Sequence, residues 1–200
     1  GFQRVDLTRA LEDRSVVQAT LMRSTIHMVA ASDFWPMAVG VRRARREWAA
    51  RLPDGVLRAN TSEAHAATLR AALADGPRSV AELGDLATGF VGNVGLWVDI
   101  IRVPPGGTWQ RRRADVLALA DQWVGPETAT EEHGLRALLT SYLRGFGPAP
   151  LKDAAHAAVR QAPVAFFPGS HETSARHGNI NLDARLHLAA SALTAGSRNA

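Results

Sequence analysis

Residues 16–29 read Val-Val-Gln-Ala-Thr-Leu-Met-Arg-Ser-Thr-Ile-His-Met-Val, and this stretch decides the fold. Val16, Val17, Thr20 and Leu21 lead into Met22-Arg23-Ser24, and Thr25, Ile26, Met28 and Val29 lead out. β-Branched residues populate both arms and no proline interrupts them, so the spacing predicts a two-stranded ribbon with Arg23 at its tip. The preceding Leu7–Arg14 segment predicts a short amphipathic helix with Leu7, Ala10 and Leu11 on one face. A helix feeding a ribbon with a cationic tip is the outline of a winged helix, and it implies a nucleic-acid partner.

Composition bounds the remaining possibilities. Two hundred residues hold one domain or two or three small ones, and 46% hydrophobic content suffices for packed cores. No continuous apolar run reaches about eighteen residues and no secretory leader is recognisable, so no membrane partner is expected. The chain starts at Gly1 rather than Met, which leads us to expect a missing N-terminal piece. The absence of cysteine excludes disulfides, thiolate metal sites and cysteine nucleophiles, and fits a cytoplasmic location. Basic residues number 23 against 19 acidic ones, a net charge of +4 that only mildly favours phosphate. Lys152 is the sole lysine. The arginine bias reflects either bidentate contacts to phosphate and guanine or a GC-rich genome.

The same plan recurs along the chain. Leu69–Leu73 ends in Gly76-Pro77 followed by Arg78-Ser79-Val80-Ala81-Glu82, and Leu135–Leu139 runs on to Gly147-Pro148 followed by Ala149–Asp153. In each, a helix stops at a Gly-Pro breaker and a second short helix opens on a small or polar residue with an acid in its first turn. That is how helix-turn-helix units begin. After the first repeat, Val94, Leu96, Trp97, Ile100 and Ile101 suit a third helix running into a strand. Arg102–Trp109 forms a Pro/Gly-rich turn, and Val116–Ala120 fits either a returning strand or the start of a helix. A second ribbon is therefore expected at about residues 99–120.

Two further arginine clusters stand out. Ser32–Leu52 predicts a helix capped by Ser32 and stopped by Pro53, carrying Arg42, Arg43, Arg45, Arg46 and Arg51 around Trp48. It is either a solvated face with one buried tryptophan or a phosphate-tracking stripe. Arg111, Arg112 and Arg113 lie in the loop of the second ribbon, where they either reach phosphates or pair with Asp115 and Asp121. Asp121, Glu127, Glu131 and Glu132 form an acidic patch expected to face away from DNA. His27 shares a strand face with Thr25 and Val29, as a structural histidine or a base contact. His171, Glu172 and His177 lack the i, i+4 spacing of a helical metal pair, so neither metal nor cofactor is expected. Gly169-Ser170-His171 lacks the context of a nucleophile elbow. Gly89–Gly95 lacks that of a nucleotide loop. Among the tryptophans, Trp97 and Trp123 read as core or wing-base residues, and Trp109, in a loop, is the one placed to stack on DNA.

Three blocks carry a family resemblance. Arg9–Asp33 resembles the "L-x-D-x-x-[LV]-V-R-T-W-x-M-R-G-T-[LI]-H-[LM]-V-x-A-x-D" block of winged-helix DNA-binding proteins in the AlkZ/YcaQ-type DNA glycosylase superfamily. Arg102–Gly125 is similar to that family's "R-x-P-[PS]-[SG]-G-T-W" block, and Arg136–Ala155 to its "L-x-x-R-Y-L-x-x-[YF]-G-P-A-x-x-x-D" block. They occur in family order over roughly residues 5–157. The resemblance implies tandem winged helices wrapped around duplex DNA. It also implies excision of alkylated purines, including crosslinked ones, through a Gln-x-Gln or Gln-x-Asp motif that positions water and supports an oxocarbenium-like sugar. That motif is absent: Gln18-Ala19-Thr20 falls where the family has Arg-Thr-Trp, and Gln3 is an isolated amide. Residues 161–200 match no block.

The expectation is therefore a mainly α chain with short β-hairpin wings (α+β), built from tandem winged-helix units. Residues 1–31 end winged helix 1, 32–60 link, 61–124 form winged helix 2, 125–160 begin winged helix 3, and 161–200 diverge. The expected function is double-stranded DNA binding by a monomer without intact catalytic machinery in this chain, the alternative being a DNA glycosylase that removes alkylated or crosslinked purines in base excision repair, with its catalytic motif in a missing N-terminal segment. The expected DNA contacts are Arg23, Ser24, Thr25, His27, Arg42, Arg43, Arg45, Arg46, Trp109, Arg111, Arg112 and Arg113.

Overall fold

The computed structural model describes residues 3–22, 25–49, 63–87, 96–150 and 153. Helix α1 spans Arg4–Glu12, earlier than the apolar pattern indicates, because Asp6 closes its first turn by accepting from the Gln3 N–H at 2.8 Å. Gln3, isolated in the sequence, is the N-cap. Strands β1 (Val16–Thr20) and β2 (Ile26–Ala30) then pair antiparallel from Val16 opposite Ala30 to Thr20 opposite Ile26. The Leu21 N–H donates to the Thr25 carbonyl at 3.1 Å to close the turn, so the first expected ribbon forms. Helix α2 (Ala31–Ala49) follows directly. Its first residue donates its N–H to the Ser15 carbonyl, which places Ser32 inside the first turn rather than at the cap. Pro53, its expected stop, lies outside the described residues.

Helix α3 (Glu63–Ala72) leads through Gly76-Pro77 to the two-residue strand β3 (Arg78–Ser79) and helix α4 (Val80–Leu83). Ser79 caps α4 reciprocally with Glu82: its hydroxyl accepts from the Glu82 N–H, and the Glu82 carboxylate accepts from the Ser79 N–H at 2.7 Å. A 3-10 turn, Gly84–Leu86, follows. Strand β4 (Ile100–Arg102) and strand β5 (Val116–Leu119) form the second ribbon, and helix α5 (Ala120–Trp123) begins where β5 ends. The Val116–Ala120 stretch is thus both strand and helix start. Helix α6 (Glu131–Phe146) is capped by Thr130, whose hydroxyl accepts from the His133 N–H, and it stops before Gly147-Pro148. The helix expected before β4 falls mostly on residues 88–95, outside the described residues; Leu96–Asp99 is turn and coil.

The two ribbons do not stand apart as separate wings. β1 also pairs with β4, Gln18 opposite Arg102 and Ala19 opposite Ile101, giving one antiparallel sheet in the order β2-β1-β4-β5-β3. The physical reason is the second edge of β1. Val17, Gln18 and Ala19 are all buried, so that edge's N–H and C=O groups need a partner, and β4 supplies it. The resulting α+β architecture has cores on both sheet faces. One gathers Val17, Ala19, Leu21, Ile101, Val103 and Ala118 beneath Phe34, Trp35 and Ala38 of α2. The other sets Ile100, Leu117 and Leu119 against Ala66, Leu69 and Leu83 of α3 and α4.

Helix α6 packs along α2 more extensively than any other two elements pack together. The crossing is backbone on backbone. A Cβ at Gly134 would lie 2.5 Å from the Gly40 nitrogen and 2.6 Å from the Pro36 carbonyl oxygen. Only glycine at both positions admits this approach.

Candidate nucleic-acid interface

The loop joining β4 to β5 holds the best-formed cationic surface among the described residues. Val103 donates its N–H to Val116, and Gly107 donates to the Arg113 carbonyl at 3.2 Å, which draws the two sides of the loop together. Gly107 sits at φ +75°, and a Cβ there would collide with the buried Gln18 side chain, so glycine is required where the loop crosses the sheet. The Thr108 hydroxyl donates to the Pro105 carbonyl at 3.0 Å and accepts from the Arg111 N–H at 3.2 Å. Outside, Gln110 accepts from the Thr8 hydroxyl of α1 at 3.1 Å. The loop is fixed from within and braced by α1.

Three arginines in a row then meet different fates. Arg111 forms a fork on both oxygens of Asp115, at 2.9 and 3.1 Å. Arg112 lies over the Trp109 indole, 5.2 Å from its centroid. Arg113 projects with 84% of its side chain exposed, its nearest acid being Asp115 at 3.8 Å. Trp109 is itself 43% exposed, and Arg4 of α1 lies 4.5 Å from its centroid. Sequence reading missed Arg4. Its i, i+4 relation to Thr8 marks a shared helix face, but nothing local connects that face to a loop a hundred residues away.

The arginines of α2 are engaged within the protein. Arg42 bridges Asp99 at 3.0 Å and Glu127. Burial opposes its charge, yet hydrogen bonds and attraction from those carboxylates hold its guanidinium above the ordinary arginine value. Arg43 bonds Glu47 at 2.8 Å, with Glu131 at 4.0 Å. Arg45 is buried and donates to the Thr20 carbonyl at 3.0 Å. Burial, only partly opposed by Asp99 and reinforced by repulsion from Arg102 and Arg46, brings it down to about 10. Arg46 donates to the Leu96 carbonyl at 2.6 Å and lies over Trp97. Burial, then repulsion from Arg42, lowers it.

The acidic patch is likewise shared out. Asp121 pairs with Arg70 and Glu127 with Arg42 across elements, and Glu132 pairs with Arg136 within α6, so the carboxylates are shared out rather than forming one bare face. Trp123 underlies Arg14 at 4.0 Å, as a packing residue. Buried Arg102 donates to the Thr20 hydroxyl at 2.9 Å, and its desolvation lowers its affinity for the proton.

At the first ribbon, Arg23 and Ser24 lie outside the described residues. Thr25 is exposed and its hydroxyl donates to the Met22 carbonyl at 3.1 Å. His27, half-buried, sets Nδ1 2.9 Å from the Thr25 carbonyl, a donor position that satisfies one ring nitrogen locally. On the same strand Ile26 and Met28 are 52% and 44% exposed. The Trp48 side chain, His171, Glu172, His177 and the Gly89–Gly95 run also lie outside the described residues, as does nearly all of the helix expected after Gly147-Pro148.

Among the described residues, no three His, Asp or Glu side chains gather where they would hold a metal ion. No described helix is long and apolar enough to cross a membrane. A cavity of about 10 Å³ between Thr20, Phe34, Arg45 and Asp99 has room for about one water, not a nucleobase.

Fold and loop together define a compact α+β protein that presents a rigid arginine–tryptophan surface at one hairpin loop. The chain belongs to the AlkZ-like DNA glycosylase family, whose model matches residues 1–161. Among solved structures, Streptomyces sahachiroi DNA glycosylase AlkZ is similar in fold, with a TM-score of 0.60 at 15% identity. The match covers 82% of this chain and 48% of that one, so the chain spans about half the length of the solved relative. No curated protein sequence matches it.

Proposed function

We propose that this chain binds duplex DNA as part of a DNA-repair glycosylase, through the β4–β5 loop and the adjoining face of α1. The observation that carries the reading is the fixed loop that turns Arg112 and Arg113 outward, with Arg4 beside them on Trp109. Guanidiniums so placed contact phosphates without reading sequence. Winged-helix organisation of residues 61–124 is part of the proposal: α3, β3, α4 and the β4–β5 ribbon follow in order, with β3 paired to β5 as the third strand. On this reading Arg23, Ser24, Thr25 and His27 belong to a second contact at the first ribbon. Arg42, Arg43, Arg45 and Arg46 are left out, because each already has partners within the fold. We further propose residues 1–31, 32–60, 61–124, 125–160 and 161–200 as the units of the chain, a monomer, with the cytoplasm as its location.

The test is fluorescence anisotropy with a labelled duplex of arbitrary sequence across a salt series. Binding that weakens linearly with log salt, with little dependence on sequence, is the expected result. Absence of binding at low salt refutes the proposal.

A second reading, excision of alkylated purines by the chain itself, is favoured by family membership alone. Excision by the family's route needs a positioned water and support for a cationic sugar. The five glutamines, at positions 3, 18, 110, 122 and 161, make no Gln-x-Gln or Gln-x-Asp motif.

A further inference from the structure

We infer that Trp109 is a platform for two guanidiniums rather than a stacking partner for a base, and that Arg4, Trp109 and Arg112 together form a backbone-phosphate subsite. The inference rests on the DNA-binding reading above and deepens it. Arg4 and Arg112 both lie within 5.2 Å of one indole centroid, inside cation–π range. They reach it from elements far apart in sequence, Arg4 from the first turn of α1 and Arg112 from the β4–β5 loop. An indole already engaged by two cations has little free face for a nucleobase. What it does supply is order, by restricting two otherwise mobile side chains before any ligand arrives.

That restriction matters because an arginine side chain carries much rotamer entropy, part of which is lost when it binds an anion. The loop removes much of the remaining freedom. The Thr108 hydroxyl ties Pro105 to Arg111, and Thr8 holds Gln110 against α1, the helix that delivers Arg4. The local charge also favours an anion. The only acid between Val103 and Asp115 is Asp115, and Arg111 occupies both its oxygens. A polyanionic strand presents closely spaced phosphates, the kind of partner that two cations held around a single ring suit.

The experiment compares the full chain with Arg4→Ala, Arg112→Ala, the double variant, Trp109→Phe and Trp109→Ala. Each binds a labelled random duplex and a single-stranded oligonucleotide of the same length over a salt series. Each arginine variant is expected to lower the salt slope by about 0.9, which near 0.1 M salt is roughly an eightfold loss of affinity. Trp109→Ala should lower duplex affinity with both arginines still present, and Trp109→Phe should recover most of it. If the double variant keeps the wild-type slope on duplex, the subsite is refuted while the broader DNA-binding reading stands. If Trp109→Ala abolishes single-strand binding and the arginine variants do not, Trp109 stacks on bases and the platform is refuted. If the wild-type chain binds no duplex at low salt, the broader reading falls and the subsite with it.

Discussion

Replacing Gly134 by alanine tests the crossing on which the helical layer depends. The added Cβ would lie 2.5 Å from the Gly40 nitrogen, 2.6 Å from the Pro36 carbonyl oxygen and 2.7 Å from the Gly40 Cα, all backbone atoms that have no rotamer to escape into. Ordinary contact begins near 3.4 Å, so α2 and α6 must part by about 1 Å at this point. A gap of that size forfeits up to about half of each dispersion contact around it, those of Leu138 with α2 included. Overpacking of this kind costs roughly 1–3 kcal/mol, and here the far side is rigid, which places it at the upper end. Alanine's better helix propensity returns about 1 kcal/mol. The net loss is about 2 kcal/mol, and in a chain of this size that lowers Tm by roughly 4–8 °C. Thermal denaturation followed by circular dichroism measures it. Gly40→Ala should behave alike, and the double variant should lose less than the sum, since helices already parted accept the second methyl more easily. A Tm at or above wild type for Gly134→Ala would refute the close crossing.

The remaining predictions concern charge. Arg42→Ala should destabilise the chain by about 1 kcal/mol in urea melts, because it removes the ion pairs to partly exposed Asp99 and Glu127, and should leave the salt slope of duplex binding unchanged. The triple change at Arg111, Arg112 and Arg113 should lower that slope by about 1.8 rather than 2.7, since Arg111 is held by Asp115 and only two contacts are lost. Ser79→Ala should cost about 1 kcal/mol at neutral pH by removing the cap of α4. Hydrogen bonds from the Ser79 side chain and backbone hold the Glu82 carboxyl below its ordinary 4.5. The stability they supply is complete above 4.5 and lost as pH falls through the lowered value, so Ser79→Ala should differ less from wild type in acid melts. Incubated with methylated duplex, the chain should release no more N7-methylguanine than a protein-free control, a result read by chromatography of the freed base.

Much of the fold was legible because its signals are local. The β-branched arms at 16–20 and 26–30 gave the first ribbon, Gly76-Pro77 followed by Ser79 and Glu82 gave the α4 start, and the Pro/Gly-rich turn located the second ribbon. The β1–β4 pairing was not legible. It joins residues more than eighty positions apart, and the alternation of Val17, Ala19 and Leu21 with Gln18 and Thr20 suits an isolated ribbon equally well. The Gly40–Gly134 crossing was equally hidden, since a helical glycine reads as a lowered propensity until its neighbour is known.

The candidate interface shows why arginine runs resist sequence reading. Arg42-Arg43-Ala44-Arg45-Arg46 and Arg111-Arg112-Arg113 look alike as strings, and their difference lies in what the fold brings to them. Along α2, successive arginines point around a helix whose other contacts are the sheet and the elements holding Asp99, Glu127 and Glu131, so each guanidinium finds a carboxylate or a carbonyl. In the β4–β5 loop a single acid serves three arginines, and one of them takes both its oxygens. Of the other two, Arg113 reaches that acid only at 3.8 Å with 84% of its side chain exposed, and Arg112 lies exposed over Trp109. Sequence supplies the count of cations, whereas the spatial supply of acceptors decides which of them stay available to an external anion. By that criterion we propose the site at the loop and α1, whereas the α2 arginines are engaged in contacts within the fold.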